Sequence, residues 1–305
     1  MPESKVTTGK IFKLRDMAYA HFVRLYVKET IMTIRITKRK LYNRSQVLTE
    51  RDKEILRSLR RCSFLKTGHV GRLHFKDSST PEVAVRGAHR TLAKLQEWGL
   101  VQLIERNIGG VRAGSTACVW TLALPGEELL CIHEREGKLS AESRKRVLEP
   151  GYPFLKHTLA VSELYTQLHT SNQLLKAEFE PECWRAYSTI FGNSTLKPDM
   201  YAVTKSGDGS PAGSYEDHWF FEVDLDTSAP KMIIRKCESY SRYFLTESEY
   251  KRIGVFPKVV WIVPNEKRRD TISEHIRERV SEFVELFAVI TFDELDSLIC
   301  GKGVV

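Results

Sequence analysis

The sequence predicts an α+β / α/β chain of two domains, the first built from helices and a β-hairpin and the second of the order αβββαβ. A length of 305 residues is sufficient for two hydrophobic cores. The charge divides the chain in the same way. Residues 1–150 contain 29 Lys and Arg against 16 Asp and Glu, a net charge of +13, whereas residues 151–305 contain 18 against 23, a net charge of −5. We therefore expect the first half to bind a polyanion and the second half to hold a cation.

Residues 1–46 form a basic N-terminal arm that precedes the first domain. Residues 1–47 contain eleven Lys and Arg against three Asp and Glu, and the most basic stretch includes Lys38, Arg39 and Lys40. Such an arm either becomes ordered on nucleic acid or remains a solvated tail. The sequence leaves both interpretations open.

Residues 47–135 are expected to contain three helices followed by two strands. Thr49 and Asp52 have the spacing of a capping box at the start of the first helix. A short second helix is expected over residues 67–75. The third helix begins at Pro81 and ends before Gly99, a residue type that suits a helix C-terminus. Two β-runs, residues 100–106 and 116–124, then flank a Gly-rich tip.

Three helices followed by a hairpin is the order of a winged helix-turn-helix, in which the third helix reads the major groove and the wing contacts the backbone. The expected partner is double-stranded DNA, with a protein contact as the alternative. The basic residues at the expected interface are Arg86, His89, Arg90 and Lys94 on the third helix, Arg106 and Arg112 on the wing, and Lys38, Arg39 and Lys40 in the arm.

Residues 136–150 are polar and charged, and we interpret them as a linker to the second domain, residues 151–305. The continuous apolar run from Val259 to Val263 is typical of a central buried strand. The expected helices cover residues 157–168, 231–244 and 268–285. The expected strands cover residues 175–181, 197–203, 218–225, 259–263 and 288–291.

The runs at 197–203 and 218–225 carry acidic residues at positions where a buried strand should be apolar. Strand alternation places Glu222 and Asp224 on one face, and Asp199 joins that face if the two strands pair. Three carboxylates brought together repel one another unless a hard cation lies between them. We therefore predict a metal site formed by Asp199, Glu222 and Asp224, with a chance cluster on the surface as the alternative.

The order helix, three strands, helix, strand, with Pro198-Asp199 on the second strand and Glu222-Val223-Asp224 on the third, resembles the PD-(D/E)xK nuclease fold of restriction endonucleases. An N-terminal winged helix joined to such a domain resembles the replication-relaxation family of mobile-element proteins. It is also similar to the plasmid relaxases built on a restriction-endonuclease-like fold. The resemblance covers most of residues 47–295.

This resemblance implies a metal-dependent endodeoxyribonuclease in which Asp199 and Glu222 bind Mg²⁺ (or Mn²⁺) and the ion acidifies the attacking water. Glu163 corresponds to an extra acidic residue that some nucleases of this fold use, and His157 is a candidate phosphate contact. Both also fit an ordinary helix surface.

The chain departs from the motif at its third position, where Asp224 stands in place of lysine. Nucleases of this fold can supply the lysine from the next helix, which carries Lys231 and Lys236. Lys236 is preferred because it lies one helical turn before Tyr240, on a helix expected to pack against the sheet. Asp224 is then a further candidate catalytic residue and metal ligand, whereas Tyr240 is expected only to pack.

The resemblance thus implies a sequence-specific protein of a plasmid or other mobile element that nicks DNA at an origin of replication or transfer. One alternative is a non-catalytic winged-helix replication initiator or regulator with an inactive nuclease-like domain. Another is a site-specific nuclease of the restriction or transposon-end type.

Several functional classes are not expected from this sequence. The six cysteines form no CxxC pair, which argues against a zinc site. No GxxxxGK[ST] loop is present, so no nucleotide cofactor is expected. No apolar run approaches the roughly 18 residues of a membrane span, and no signal-peptide pattern opens the chain. We therefore expect a cytoplasmic protein without a membrane partner, and leave a homodimer open.

Overall fold

A computed structural model describes residues 43–44, 46–104, 118–134, 150–189, 192–207 and 214–300, and it is a mixture of helices and strands. The helices are α1 (Glu50–Cys62), α2 (Thr67–His74), α3 (Pro81–Glu97), α4 (Leu124–Glu134), α5 (Tyr152–Thr170), α6 (Pro230–Leu245), α7 (Ser248–Ile253), α8 (Glu266–Arg279) and α9 (Leu295–Ile299). The strands are β1 (Phe64–Lys66), β2 (Val101–Ile104), β3 (Val119–Leu122), β4 (Leu174–Phe179), β5 (Arg185–Thr189), β6 (Gly192–Leu196), β7 (Met200–Gly207), β8 (Ser214–Val223), β9 (Lys258–Val263) and β10 (Phe287–Thr291). Two 3₁₀ turns, Ser281–Leu286 and Phe292–Glu294, flank β10.

The N-terminal unit, residues 46–134, contains α1 to α4 and a small sheet of order β1-β3-β2. The predicted capping box is confirmed, since Asp52 N–H donates to Thr49 Oγ1 at 3.1 Å and Thr49 N–H donates to Asp52 Oδ2 at 2.9 Å. Strand β1 was not expected. It has only three residues between two helices and is defined by its antiparallel pairing with β3.

Helix α3 begins and ends as the sequence predicts. Thr80 Oγ1 accepts a hydrogen bond from Val83 N–H at 3.3 Å, and Pro81 occupies the first turn, where its missing N–H does no harm. Gly99, at φ +68°, follows the helix in the left-handed conformation that favours glycine. The buried face is formed by Ala84, Ala88, Leu92 and Leu95.

The sheet unit, residues 150–300, contains a five-stranded sheet of order β10-β9-β8-β7-β4. Strands β4, β7 and β8 form an antiparallel meander, whereas β8, β9 and β10 run parallel. The predicted order α-β-β-β-α-β, then α-β, is present, with two insertions. Strands β5 and β6 form a separate hairpin between β4 and β7, and α7 follows α6. These insertions are short, and their hydrophobic pattern does not distinguish them from loops.

Helix α5 joins the two units. On one side Leu155 and Leu159 pack with Phe64 and Val119 of the N-terminal unit. Further along the helix, Leu164 and Leu168 belong to a core that includes residues of α1 to α4 and the α5-facing side of the five-stranded sheet. The opposite face of that sheet packs against α6 and α8 in a second core. None of the described helices has both the length and the apolarity needed to cross a membrane. The boundaries at residues 46, 135 and 150 remain predictions.

Candidate active site

The main-chain pairing of β7 and β8 places Asp199 beside Glu222. Met200 is opposite Phe221 in the antiparallel register, and Asp199 immediately precedes Met200. Asp199 N–H donates to the Phe221 carbonyl at 3.1 Å, and Asp199 Oδ2 accepts a hydrogen bond from Val223 N–H at 2.7 Å. The Asp199 carboxylate is therefore fixed by the strand that carries Glu222.

Glu222 lies on the face of β8 that packs against α6, and only 1% of its surface is exposed. Its Oε2 atom accepts a hydrogen bond from Lys236 Nζ, and its Oε1 atom accepts one from Tyr240 Oη at 2.5 Å. Lys236 and Tyr240 are one turn apart on α6 and so point the same way. Lys236 Nζ also lies 3.9 Å from Asp199 Oδ1, so one ammonium group contacts both carboxylates.

Tyr240 makes the packing contacts expected of it and, in addition, a hydrogen bond that was not expected. Its ring lies 5.7 Å from that of Phe220, and it is completely buried. A buried tyrosine hydroxyl needs a polar partner. The requirement of a buried tyrosine hydroxyl for a hydrogen-bond partner was the only feature of the sequence that pointed to the contact of Tyr240 with Glu222.

His157 approaches the site from α5. Its Nε2 atom lies 3.3 Å from Asp199 Oδ1. The hydrogen bond with Asp199 raises the pKa of His157, although partial burial and the Lys236 charge oppose the rise. The Asp199 carboxylate therefore stabilises the charged form of the His157 imidazole.

Burial and charge act against each other at the central pair. Burial acts to raise the pKa of Glu222 above its usual range, an effect that the Lys236 ammonium opposes and the Asp199 charge reinforces. Burial alone would lower the pKa of Lys236, but Glu222 and Asp199 outweigh it and raise the pKa. Burial also acts to raise the pKa of Asp199, but His157, Lys236 and the Val223 N–H together lower it. Lys236 thus keeps its proton at neutral pH, and Asp199 remains ionised.

Asp224 does not join these two carboxylates, which corrects the expected three-carboxylate cluster. Asp224 follows the last residue of β8, and its Oδ2 atom accepts a hydrogen bond from Arg268 Nε of α8 at 2.7 Å. The same carboxylate accepts weaker bonds from the N–H groups of Asp226 and Ser228. Among the described residues, no group of three or more His, Cys, Asp and Glu side chains is arranged to hold a metal ion. Arg268 neutralises Asp224 in the way that a metal ion was expected to.

Glu163 is also held away from Asp199 and Glu222. It lies six residues after His157 on α5, and at 100° per residue this places it on a different side of the helix. Its carboxylate contacts α2, where Arg72 donates to Oε2 at 2.5 Å and His69 Nε2 lies 3.1 Å from the same atom. Glu163 therefore connects the two units, a role that its position in the sequence did not reveal.

Among the described residues, Asp199 and Glu222 are the pair that could hold a divalent cation. Mg²⁺ usually takes one or two protein carboxylates and keeps several waters, and Asp199 and Glu222 provide two. The Lys236 ammonium group in contact with both carboxylates shows that a positive charge is stabilised between them. Lys231, the alternative lysine, is exposed and forms no ion pair within the described part of the chain.

The expected DNA-binding residues of α3 fall into two groups. Arg86, His89 and Arg90 are exposed and, with Val83, line a shallow depression. Lys94 instead binds Asp52 of α1, with Nζ 2.8 Å from both carboxylate oxygens. Asp52 is 2% exposed, so Lys94 neutralises a buried charge. The remaining expected contacts, Arg106, Arg112, Lys38, Arg39 and Lys40, lie outside the described residues.

Comparison with known proteins gives one match. A family model described as replication-relaxation matches residues 56–259, from within α1 to within β9. This range covers more than half of the chain and includes Asp199, Glu222 and Lys236. No curated protein and no solved structure matches the chain.

Proposed function

The chain belongs to the replication-relaxation family, and from this premise we propose that it nicks DNA at an origin of replication or transfer of a plasmid or other mobile element. The proposed reaction is metal-dependent hydrolysis of one phosphodiester bond, which relaxes supercoiled DNA. In this proposal the sheet unit is a PD-(D/E)xK nuclease domain, and the N-terminal unit is a winged helix-turn-helix.

The contact of Lys236 with both Asp199 and Glu222 carries this proposal. Two carboxylates from neighbouring strands and a lysine from the following helix are the groups that the nuclease motif requires, with the lysine moved from strand to helix. Asp199 and Glu222 would hold Mg²⁺ or Mn²⁺, which when bound makes a water molecule more acidic and stabilises charge on the phosphate. Lys236 supplies positive charge next to Asp199, and His157 adds to it when it is protonated.

Recognition of duplex DNA is assigned to α3. Arg86, His89 and Arg90 form an exposed basic face opposite the buried face of this helix. Arginine donates two hydrogen bonds to guanine in the major groove, which gives sequence discrimination. The net charge of +13 on residues 1–150, from 29 basic against 16 acidic residues, favours a polyanionic partner.

A non-catalytic initiator or regulator is the second candidate, and one observation favours it. The Glu222 carboxylate is already bound by Lys236 and Tyr240 and is almost fully buried. A metal ion would have to displace at least one of these partners. If neither moves, the same cluster would only stabilise the sheet unit, and the protein would bind DNA without cutting it.

Incubation of the full chain with a supercoiled plasmid that carries its own origin tests the proposal. We expect conversion to open circles in Mg²⁺ or Mn²⁺ and no conversion in a chelator, as resolved on an agarose gel. Asp199→Asn and Glu222→Gln should bind the plasmid but leave it supercoiled. Linear product at early times would indicate double-strand cleavage. Binding without any change of topology would favour the non-catalytic alternative.

A further inference from the structure

Trp184 lies close to the proposed active site. It follows β4 in the turn of residues 180–184, where Cys183 Sγ donates to the Pro198 carbonyl at 3.0 Å. Pro198 is the residue before Asp199, so this contact ties the turn to the start of β7.

The exposure of Trp184 is unusual among the five tryptophans of this chain. Trp120, Trp219 and Trp261 are 2%, 7% and 4% exposed, and Trp98 is half-buried, whereas Trp184 is 37% exposed. An exposed indole leaves apolar surface in contact with water, which is unfavourable unless a ligand covers it. Part of the Trp184 indole surface is therefore available to a ligand.

The indole is also held in a fixed orientation. Trp184 Nε1 donates to Glu180 Oε1 at 3.2 Å, and Lys197 Nζ lies 4.3 Å from the centroid of the ring. A side chain that is already ordered loses little conformational entropy when a ligand packs against it. This arrangement favours binding by stacking.

Lys197 places a positive charge over one face of the Trp184 ring, which leaves the opposite face for a ligand. It is exposed and forms no ion pair with any carboxylate in the part of the chain that the structure describes. Asp199, Glu222 and Glu180 make the surroundings acidic, so a phosphate group would be repelled here without such a cation. An aromatic ring next to an unpaired lysine is the combination by which proteins bind single-stranded nucleic acid.

Within the nicking function proposed above, on which this inference rests, we propose that Trp184 and Lys197 form a subsite for one unpaired nucleotide beside the scissile phosphate. Its base stacks on the face of the Trp184 indole opposite Lys197, and its phosphate pairs with the Lys197 ammonium group. In duplex DNA the faces of each base are covered by the neighbouring base pairs. The subsite therefore selects DNA that is locally single-stranded at the point of cleavage.

Tryptophan fluorescence of the full chain tests this subsite without cleavage. A single-stranded oligonucleotide of mixed sequence is titrated in the presence of a chelator, and its fully paired duplex is titrated in parallel. Stacking of a base on Trp184 should quench part of the emission with the single strand only. In Trp184→Phe the quenching should disappear while binding remains, because phenylalanine keeps an aromatic face.

Affinity measurements with the same two ligands separate the contributions. We expect Trp184→Ala to weaken single-strand binding about 5- to 150-fold, which corresponds to roughly 1–3 kcal/mol for one stacked base. Duplex binding through α3 should not change.

Lys197→Ala should weaken single-strand binding and reduce the slope of the logarithm of the association constant against the logarithm of salt concentration by about 0.7. Tyr215→Ala is the matched control. Tyr215 is exposed and lies on β8 seven residues before Glu222, about 23 Å away along an extended strand.

The outcomes distinguish a failure of this inference from a failure of the proposed function. Absence of quenching, or equal losses for single-strand and duplex binding in Trp184→Ala, would overturn the subsite even if the plasmid is nicked. Quenching that depends on Trp184, in a protein that never nicks the plasmid, would support the subsite and contradict the nuclease. If Tyr215→Ala weakens single-strand binding as much as Trp184→Ala does, the effect is not specific to this position and the subsite is wrong.

Discussion

Lys236 reaches the carboxylates of Asp199 and Glu222 from helix α6, whereas the nuclease motif would have the lysine two residues after Glu222, where this chain has Asp224. The lysine of the motif is thus found at position 236 on α6, and an acidic residue occupies its usual position, 224. Asp224 takes Arg268 of α8 as its partner at 2.7 Å, and Lys236 takes Glu222. Lys236 therefore contacts both Asp199 and Glu222, whereas Asp224 is neutralised separately by Arg268.

Replacement of Lys236 by methionine should lower the rate of plasmid nicking by about 100- to 1000-fold, the usual effect of removing one electrostatic group from an active site. Lys231→Met is the matched control, because Lys231 lies on the same helix, is exposed and has no ion pair among the described residues. Initial rates on supercoiled plasmid measure both variants. Equal rates for the wild type and Lys236→Met would contradict the assignment of the lysine.

Lys94 and Arg90 should affect different properties, although both are basic residues of α3. Loss of Lys94 leaves the buried Asp52 carboxylate without its cation, so Lys94→Met should lower the free energy of unfolding by about 1–3 kcal/mol. Duplex affinity should change little. Arg90→Ala should weaken duplex binding and leave stability unchanged. Denaturant unfolding and filter binding of both variants check this, and the reverse pattern would show that Lys94 contacts DNA.

The sequence predicted which side chains come together where a motif spacing or a helical turn determines their positions. The convergence of Asp199 and Glu222 was predicted from acidic residues on two pairing strands. The contact of Lys236 with them was predicted from its position one helical turn before Tyr240. The positions of Glu163 and Asp224 were not predictable, because each depends on a basic partner from an element distant in sequence. Neither Arg72 nor Arg268 belongs to any local pattern that identifies its carboxylate.

At the level of elements, α5 carries contacts to both units on different sides. Towards the sheet it brings His157 to Asp199. Towards the N-terminal unit it places Glu163 against Arg72 and His69, and Ser162 Oγ donates to the Phe64 carbonyl at 2.8 Å. A displacement of α2 relative to the sheet would therefore act on the helix that carries His157.

The contact of Glu163 with α2 should make stability depend on pH. Arg72 and His69 lower the pKa of Glu163 in the folded chain, although burial opposes this. A carboxyl whose pKa is lowered by folding adds stability above its unfolded pKa of about 4.3, and this contribution is lost as the pH falls below that value. Glu163→Gln should thus cost about 1–2 kcal/mol at neutral pH and much less in acid.

Denaturant unfolding of the wild type and Glu163→Gln at neutral and acidic pH measures this difference. Glu163→Gln should also nick plasmid at close to the wild-type rate under conditions in which it is folded. A stable variant that does not nick would instead place Glu163 in the reaction.

Elements with a long, regular hydrophobic period were predictable, and short ones were not. Helix α3 has a buried residue at each helical interval and caps at both ends, so its sequence defines it locally. The hairpin of β5 and β6 is held by Tyr187 and Leu196, which pack against α6 in the second core. This contact, like the pairing of β1 with β3, joins elements that are distant in sequence, so no local sequence pattern predicts it.

For the molecule as a whole, the shared core predicts a single unfolding transition. The first core contains residues of α1 to α4 together with residues of α5 and the five-stranded sheet. Units that share a core lose stability together, because separation exposes apolar surface on both. We expect thermal unfolding followed by tryptophan fluorescence and by far-UV circular dichroism to give coincident curves. Two separated transitions would show that the units fold independently.

The division of charge predicts how duplex binding depends on salt. Residues 1–150 carry +13, from 29 basic against 16 acidic residues. The logarithm of the association constant of the full chain for duplex DNA should fall with the logarithm of the salt concentration, with a slope of about −0.9 for each neutralised phosphate.

Arg86→Ala should reduce the free-energy difference between cognate and unrelated duplexes by roughly 1–3 kcal/mol, as expected for a lost base contact. Titrations of cognate and unrelated duplexes at several salt concentrations measure both effects. Affinity that does not vary with salt would contradict binding through this basic half.

The position of α5 between the units also limits how such a protein can be inherited or rebuilt. A recombination event that replaced residues 46–134 with the N-terminal unit of a distant relative would place a different surface against Glu163 and against the buried side chains of Leu155 and Leu159. New target specificity should therefore arise by substitutions on the exposed side of α3 rather than by exchange of the whole unit. A chimaera that tests this should keep α2 and β1 of this chain and graft only the residues around Arg86, His89 and Arg90.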